Sequence, residues 1–158
     1  MYQKASFLSL IFLFYSCLSF AQGQTDSLSR LLETVKGKDR ITLLNSLATS
    51  IRESDQKRTI ELSSEADSLA NTIGDLSGRS RALENIGWSY YRLGNWQKSF
   101  EYSSRAFELA MESDDKRQAA RLMNNMGALY YEQKNHQKSI EQFKRGYQLA
   151  TEVNDLET

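Results

Sequence analysis

Residues 95–110 read NWQKSFEYSSRAFELA, and residues 135–150 read NHQKSIEQFKRGYQLA. Aligned without a gap, residues 80–115 and 120–155 share fifteen identities in 36 positions. Arg81, Asn85, Gly87, Tyr90 and Tyr91 recur as Arg121, Asn125, Gly127, Tyr130 and Tyr131, and Asn95, Gln97, Lys98, Ser99 and Glu101 recur as Asn135, Gln137, Lys138, Ser139 and Glu141. A unit of this size cannot bury its own apolar face. Its repetition therefore calls for a stack in which each copy covers the next.

Within one unit the apolar spacing is helical. Leu83, Ile86, Gly87, Tyr90 and Leu93 follow steps of three and four, as do Trp96, Phe100, Ser103, Phe107 and Ala110. Leu-Gly-Asn at 93–95 separates the two runs, because Gly94 ends one helix and Asn95 caps the next. Each unit is therefore a helical hairpin. Gly87 and Gly127 sit mid-helix, where glycine costs about 1 kcal/mol relative to alanine. That the cost recurs in phase points to a close approach of two helix backbones.

The run Leu83-x-x-Ile86-Gly87-x-x-Tyr90, followed by Ser99 and Ala106, resembles the tetratricopeptide repeat. Met123-x-x-Met126-Gly127-x-x-Tyr130, Ser139, Phe143 and Gly146 resemble it again. A fainter copy reads Leu44-x-x-Leu47-Ala48-x-x-Ile51, then Ile60 and Ala66, with one residue fewer between its helices. HEAT-type repeats share the period, but the Gly-x-x-Tyr phase and the small residues at 99, 106, 139 and 146 favour the tetratricopeptide reading. Two departures stand out. Met111 and Thr151 replace the family's closing proline, and the forty-residue unit implies helices about a turn longer than usual. The resemblance implies an all-α fold, a right-handed superhelical array of antiparallel hairpins, with repeats at about 41–74, 80–113 and 120–153 inside an array of residues 39–158. Residues 22–38 read as a short amphipathic capping helix, started by Thr25 or Asp26 and stopped by Gly37. Forty-residue repeats of this kind are similar to those of exported bacterial proteins, some of which carry a signalling module further along.

In the resembled family the first helices of the hairpins line a concave groove that takes peptide. Carried over by position, that groove begins with Thr42, Asn45, Ser46, Thr49 and Arg52. The second repeat adds Arg81, Glu84, Asn85, Trp88, Tyr91 and Arg92, and the third adds Arg121, Asn124, Asn125, Ala128, Tyr131 and Glu132. Asparagine amides can both donate to and accept from an extended backbone, and tyrosines give large contact area at low entropy cost. The alternative is a solvated polar face. The family's best-known mode clamps a C-terminal carboxylate with two lysines, two asparagines and an arginine. Here Asn85 fits that pattern and Arg121 can replace a lysine, while Asn45, Thr49 and Asn125 do not match. A chaperone-tail binder is not implied.

Composition removes other classes. Lys plus Arg and Asp plus Glu both total 20, so no net charge draws the chain to a phosphate backbone, and nucleic acid is not an expected partner. The absence of proline suits uninterrupted helices. His136 is the only histidine and takes the slot of Trp96, so a half-buried ring in place of an aromatic is expected, with no metal site. Asp114 and Asp115 are adjacent, point apart and suit helix capping better than acid–base work. With no Gly-rich phosphate loop, nucleophile elbow or HExxH, neither catalysis nor a cofactor is expected.

Residues 1–21 read as a signal peptide: Lys4, the apolar run FLSLIFLFYSCLSF at 7–20, and small residues Ser19 and Ala21 before a cut. An uncleaved membrane anchor and acylation of Cys17 are the alternatives. Cleavage removes Lys4 and the only cysteine, leaving a net charge of −1 and no thiol. The expected function is thus non-catalytic binding of a protein or peptide outside the cytoplasm, in the periplasm or beyond. The rival is the sensory region of a signalling protein with a kinase or DNA-binding module further along, or a structural part of a membrane-bound assembly. The last helix carries Ile140, Phe143, Tyr147 and Leu149, and VNDLET at 153–158 aligns with the lead-in to another hairpin. The array therefore reads as uncapped, to be covered by further chain or by self-association.

Overall fold

The computed structural model describes residue 32 and residues 34–155, among which six helices and no strand occur. They are α1 (Gly37–Ile51), α2 (Gln56–Ile73), α3 (Leu76–Arg92), α4 (Trp96–Glu112), α5 (Lys116–Glu132) and α6 (His136–Asp155). The segment Lys36–Thr158 is one compact unit. The expected signal peptide and most of the leading helix lie outside the described residues.

A capping device repeated every twenty residues cuts the chain into these helices. Asp55, Asp75, Asn95, Asp115 and Asn135 each accept a hydrogen bond from the backbone N–H three residues on, at 2.9–3.2 Å. Side-chain caps of this kind are each worth roughly 1 kcal/mol. The residue before four of these caps is left-handed: Gly74, Gly94, Asp114 and Lys134, at φ of 72°, 72°, 55° and 58°. It lets the N–H of residues 75, 95, 115 and 135 turn back to the carbonyls of Ala70, Tyr90, Ala110 and Tyr130 at 2.8–2.9 Å. The first turn, residues 52–54 ahead of the Asp55 cap, has no left-handed residue. There Ser54 and Asp55 N–H both reach the Ile51 carbonyl at 2.9 Å. Of the aspartate pair, Asp115 alone caps; Asp114 makes the turn. Because the caps fall at 75 and 115, the second and third hairpins begin at Leu76 and Lys116, four residues before the repeat bounds expected from the sequence. The first begins at Gly37 rather than 41.

Every helix packs on its chain neighbours, and α1 packs on α3 and α3 on α5. The backbones of α2 and α4, and those of α4 and α6, stay apart. First helices in mutual contact with second helices splayed apart bend the stack, placing α1, α3 and α5 on the inner face. The central core joins Leu83, Ile86, Ala106, Ala110, Ala119 and Leu122, with Tyr90, Phe107 and Leu149 half-buried around it. Small residues of α4 allow this approach: Ser99 donates to the Gly87 carbonyl at 2.8 Å, and a methyl on Gly87 would lie 3.3 Å from Ser103 N and Ser99 O. At Gly127 the obstacle is different. The close neighbour is the Phe143 ring, 2.8 Å from a built methyl carbon, and not a helix backbone.

Three packing expectations change. Leu93 closes α3 and is 59% exposed, because the helix ends before its side chain can turn inward. Trp96 and His136 do occupy equivalent places, each edge-on to a tyrosine (Tyr91 at 5.5 Å and Tyr131 at 5.4 Å). Both lie at the exposed rim of the stack, and His136 is exposed rather than half-buried. On α6, Ile140 (51%), Phe143 (41%) and Tyr147 (71%) face outward as the repeat phase implies, while Leu149 packs on the core.

Candidate functional site

Polar contacts between successive first helices organise the inner face. Asn45 donates from Nδ2 to the Gly78 carbonyl at 2.9 Å, and Asn85 donates to the Asn45 carbonyl at 3.3 Å. Thr49 lies 3.1 Å from Asn85 Oδ1. One repeat later Glu84 holds the place of Asn45. Its Oε2 accepts from Gln118 Nε2 at 2.8 Å, its Oε1 accepts from Asn125 at 3.3 Å, and the Arg121 guanidinium lies 3.6 Å away. Arg121 also donates to Gln118. The two junctions share a register and differ in chemistry.

The nine groove residues expected from sequence accordingly separate into two groups. Asn45 and Asn85 are buried, Asn125 is half-buried, and all three direct their amides to a neighbouring helix rather than outward. The expectation of freely presented amides fails there, because adjacent first helices approach closely enough to need them. Trp88 is half-buried as well, with the Arg52 guanidinium 5.0 Å from its ring centre and Tyr91 stacked at 5.3 Å. Tyr91 is half-exposed and donates to Glu132 at 3.4 Å. Burial and then the Glu132 charge raise its phenol above the ordinary tyrosine range, with Arg92 opposing. Arg81, Arg121, Asn124 and Tyr131 remain exposed and available to a ligand. Asn124 escapes the fate of Asn45 and Glu84 because no further first helix covers it among the described residues.

Between α1 and α3 the inner face opens into a cleft of about 520 Å³, which Arg121 of α5 reaches. Its buried floor includes Ile41, Asn45 and Gly78. Thr42, Ser46 and Thr49 stand on one wall, Ser77 and Arg81 on the other, with Lys38 at the rim. Reading the sequence alone did not find Lys38, Ser77 or Gly78. The one available signal, Gly78 standing where the following repeat has Gln118, falls just outside the aligned segment. No group of His, Cys, Asp or Glu able to hold a metal occurs among the described residues.

Residues 78–152 match the tetratricopeptide repeat family. Among solved structures, BtubC (BKLC) from P. vanneervenii is similar, with a TM-score of 0.64 and 18% sequence identity over 74% of this chain. The chain spans about half of that protein, 49% of its length. No curated protein matches the sequence. Residues 78–152 carry tetratricopeptide repeats, and the described residues form an all-α solenoid. Such repeats are protein-interaction scaffolds, generally without catalytic activity.

Proposed function

We propose that this protein binds an extended polypeptide on its inner face and performs no chemistry on it. The observation that carries this reading is the junction pattern: first-helix backbones approach one another across repeats while second-helix backbones do not, beside a polar cleft of about 520 Å³. Exposed Arg81, Arg121, Asn124 and Tyr131 supply its contacts. Action outside the cytoplasm is part of the proposal, supported by the apolar run at 7–20 and the small residues before position 22. If cleavage fails, the same run tethers the protein to a membrane.

Peptides selected from a random displayed library on residues 22–158 test the binding. Binding should weaken at least tenfold with Arg81→Glu or Tyr131→Ala, and be unchanged by Glu108→Lys on the outer helix α4. Equal loss from inner and outer substitutions defeats the concave-face reading. Sequencing the mature N-terminus tests export: a start at Gln22 is expected, and a start at Met1 in the membrane fraction overturns it.

A further inference from the structure

The last second helix, α6, repeats the surface of α4 with one change of chemistry. On α4, Phe100, Ser104, Phe107 and Met111 form the stripe that receives α5. The Phe100 ring meets Tyr130 edge-on at 5.5 Å, and the Ser104 hydroxyl lies 3.8 Å from the Met126 sulfur. Phe107 and Met111 border one cavity with Met123. On α6 the same repeat positions hold Ile140, Lys144, Tyr147 and Thr151. Ile140 is 51% exposed and Tyr147 71%. With Phe143, Lys144 and Gln148 they line a groove of about 480 Å³. Among the described residues no other helix exposes three large apolar side chains.

That change decides what can lie on the stripe. Where α4 offers small Ser104 to Met126, α6 presents the ammonium of Lys144. A helix like α5 in that seat would bury a charge against methionine with no counter-charge, a costly arrangement. The occupant must therefore be apolar along its middle and carry a carboxylate at its flank. Helix α6 itself has both. Glu141, one turn before Lys144, stands on the same flank of the stripe, and both residues are exposed. Arg145 lies 3.9 Å from Glu141, but both side chains of that pair are more than half exposed, so it holds Glu141 only weakly.

We infer that α6 is the contact surface of a homodimer, in which it pairs antiparallel with the same helix of a second copy. A two-fold axis passing between Gln142 and Phe143 sets the register. It brings Glu141 beside the partner's Lys144, and the symmetry repeats that ion pair with the roles exchanged. The same register seats Ile140 between the partner's Phe143 and the partner's Tyr147, so the apolar stripe interleaves with itself. A single helix pair buries less than the roughly 800 Å² per partner of a standard interface, so the dimer forms only at high micromolar concentration. The inference is independent of the concave-face reading, because the inner face belongs to α1, α3 and α5.

Sedimentation velocity of the full chain, from about 10 µM to about 1 mM, should show a monomer–dimer equilibrium that weakens as salt rises. Ile140→Ser, Glu141→Lys and Lys144→Glu should each weaken the dimer at least tenfold. The double variant Glu141→Lys, Lys144→Glu restores opposite charges across the axis, and its dimer should return to within about threefold of the unaltered chain. All three positions are exposed, so the helices should persist, and circular dichroism checks that they do. The apolar run at 7–20 is the same in every variant, so association through it would not respond to these changes. A chain that stays monomeric throughout overturns the inference and leaves α6 to a different occupant. Association that ignores the single variants, or that the double variant fails to restore, overturns it as well.

Discussion

Gln118 in α5 reaches back 34 residues to donate its side-chain amide to Glu84 Oε2 in α3, at 2.8 Å and almost wholly out of water. This contact locks the second repeat to the third. Glu84→Ala leaves two amides, Gln118 and Asn125, without their acceptor, and should cost about 1–3 kcal/mol. Gln118→Ala should cost a similar amount, and the double variant clearly less than the sum of the two. Urea titration of the four proteins measures this; strict additivity would mean that the pair is not coupled.

The two mid-helix glycines should respond differently to alanine. At Gly87 the added methyl meets backbone atoms of Ser99 and Ser103, which cannot move without shifting α4. At Gly127 it meets the Phe143 ring, which is 41% exposed and can swing outward. Since alanine gains about 1 kcal/mol in helix propensity, Gly127→Ala should be close to neutral and Gly87→Ala destabilising by about 1–3 kcal/mol. Gly127→Leu exceeds what the ring can yield and should cost about 1–3 kcal/mol. Thermal melts that rank the two alanine variants the other way would refute the account.

Lys134 holds a left-handed conformation that Gly94 holds one repeat earlier. A lysine pays a steric penalty there which glycine avoids, partly offset by the greater freedom of glycine in the unfolded chain. Lys134→Gly should therefore stabilise by about 0.5–1 kcal/mol, and Gly94→Lys should destabilise by a similar amount. Asp114→Gly should gain less, because aspartate tolerates this region better.

Tyr91 ties the second repeat to Glu132 only while its phenol is protonated. Its value is raised in the fold, so the fold binds that proton more tightly than the unfolded chain does. The resulting stability is fully present below about pH 10, the ordinary tyrosine value, and is lost as pH rises through the higher folded value. Melting temperature should thus fall more steeply above that pH in the wild type than in Tyr91→Phe. Parallel curves would show that the contact is too exposed to matter.

The repeat itself determined the fold. Asn95, Gly94, Asp115 and the three-and-four spacing of Leu83, Ile86 and Tyr90 are local signals, acting within a turn or two of helix, and so they could be read from the chain. The exposed face of Ile140, Phe143 and Tyr147 was legible for the same reason, since periodicity shows which side of a helix is apolar. The groove was legible only as a set of positions. Which asparagines stay free and which bind a neighbour depends on how closely α1, α3 and α5 approach, and no spacing within one helix records that distance. Asn45 and Asn125 hold different places in their repeats, and nothing local to either shows what it meets. The tertiary structure sets Asn45 over a glycine, with an open cleft and an unanswered carbonyl, and sets Asn125 against Glu84 in a filled junction. The sequence could therefore determine that the hairpins stack, because helix formation and capping are local. Only the packing of residues some forty positions apart decided where the stack is open to a ligand.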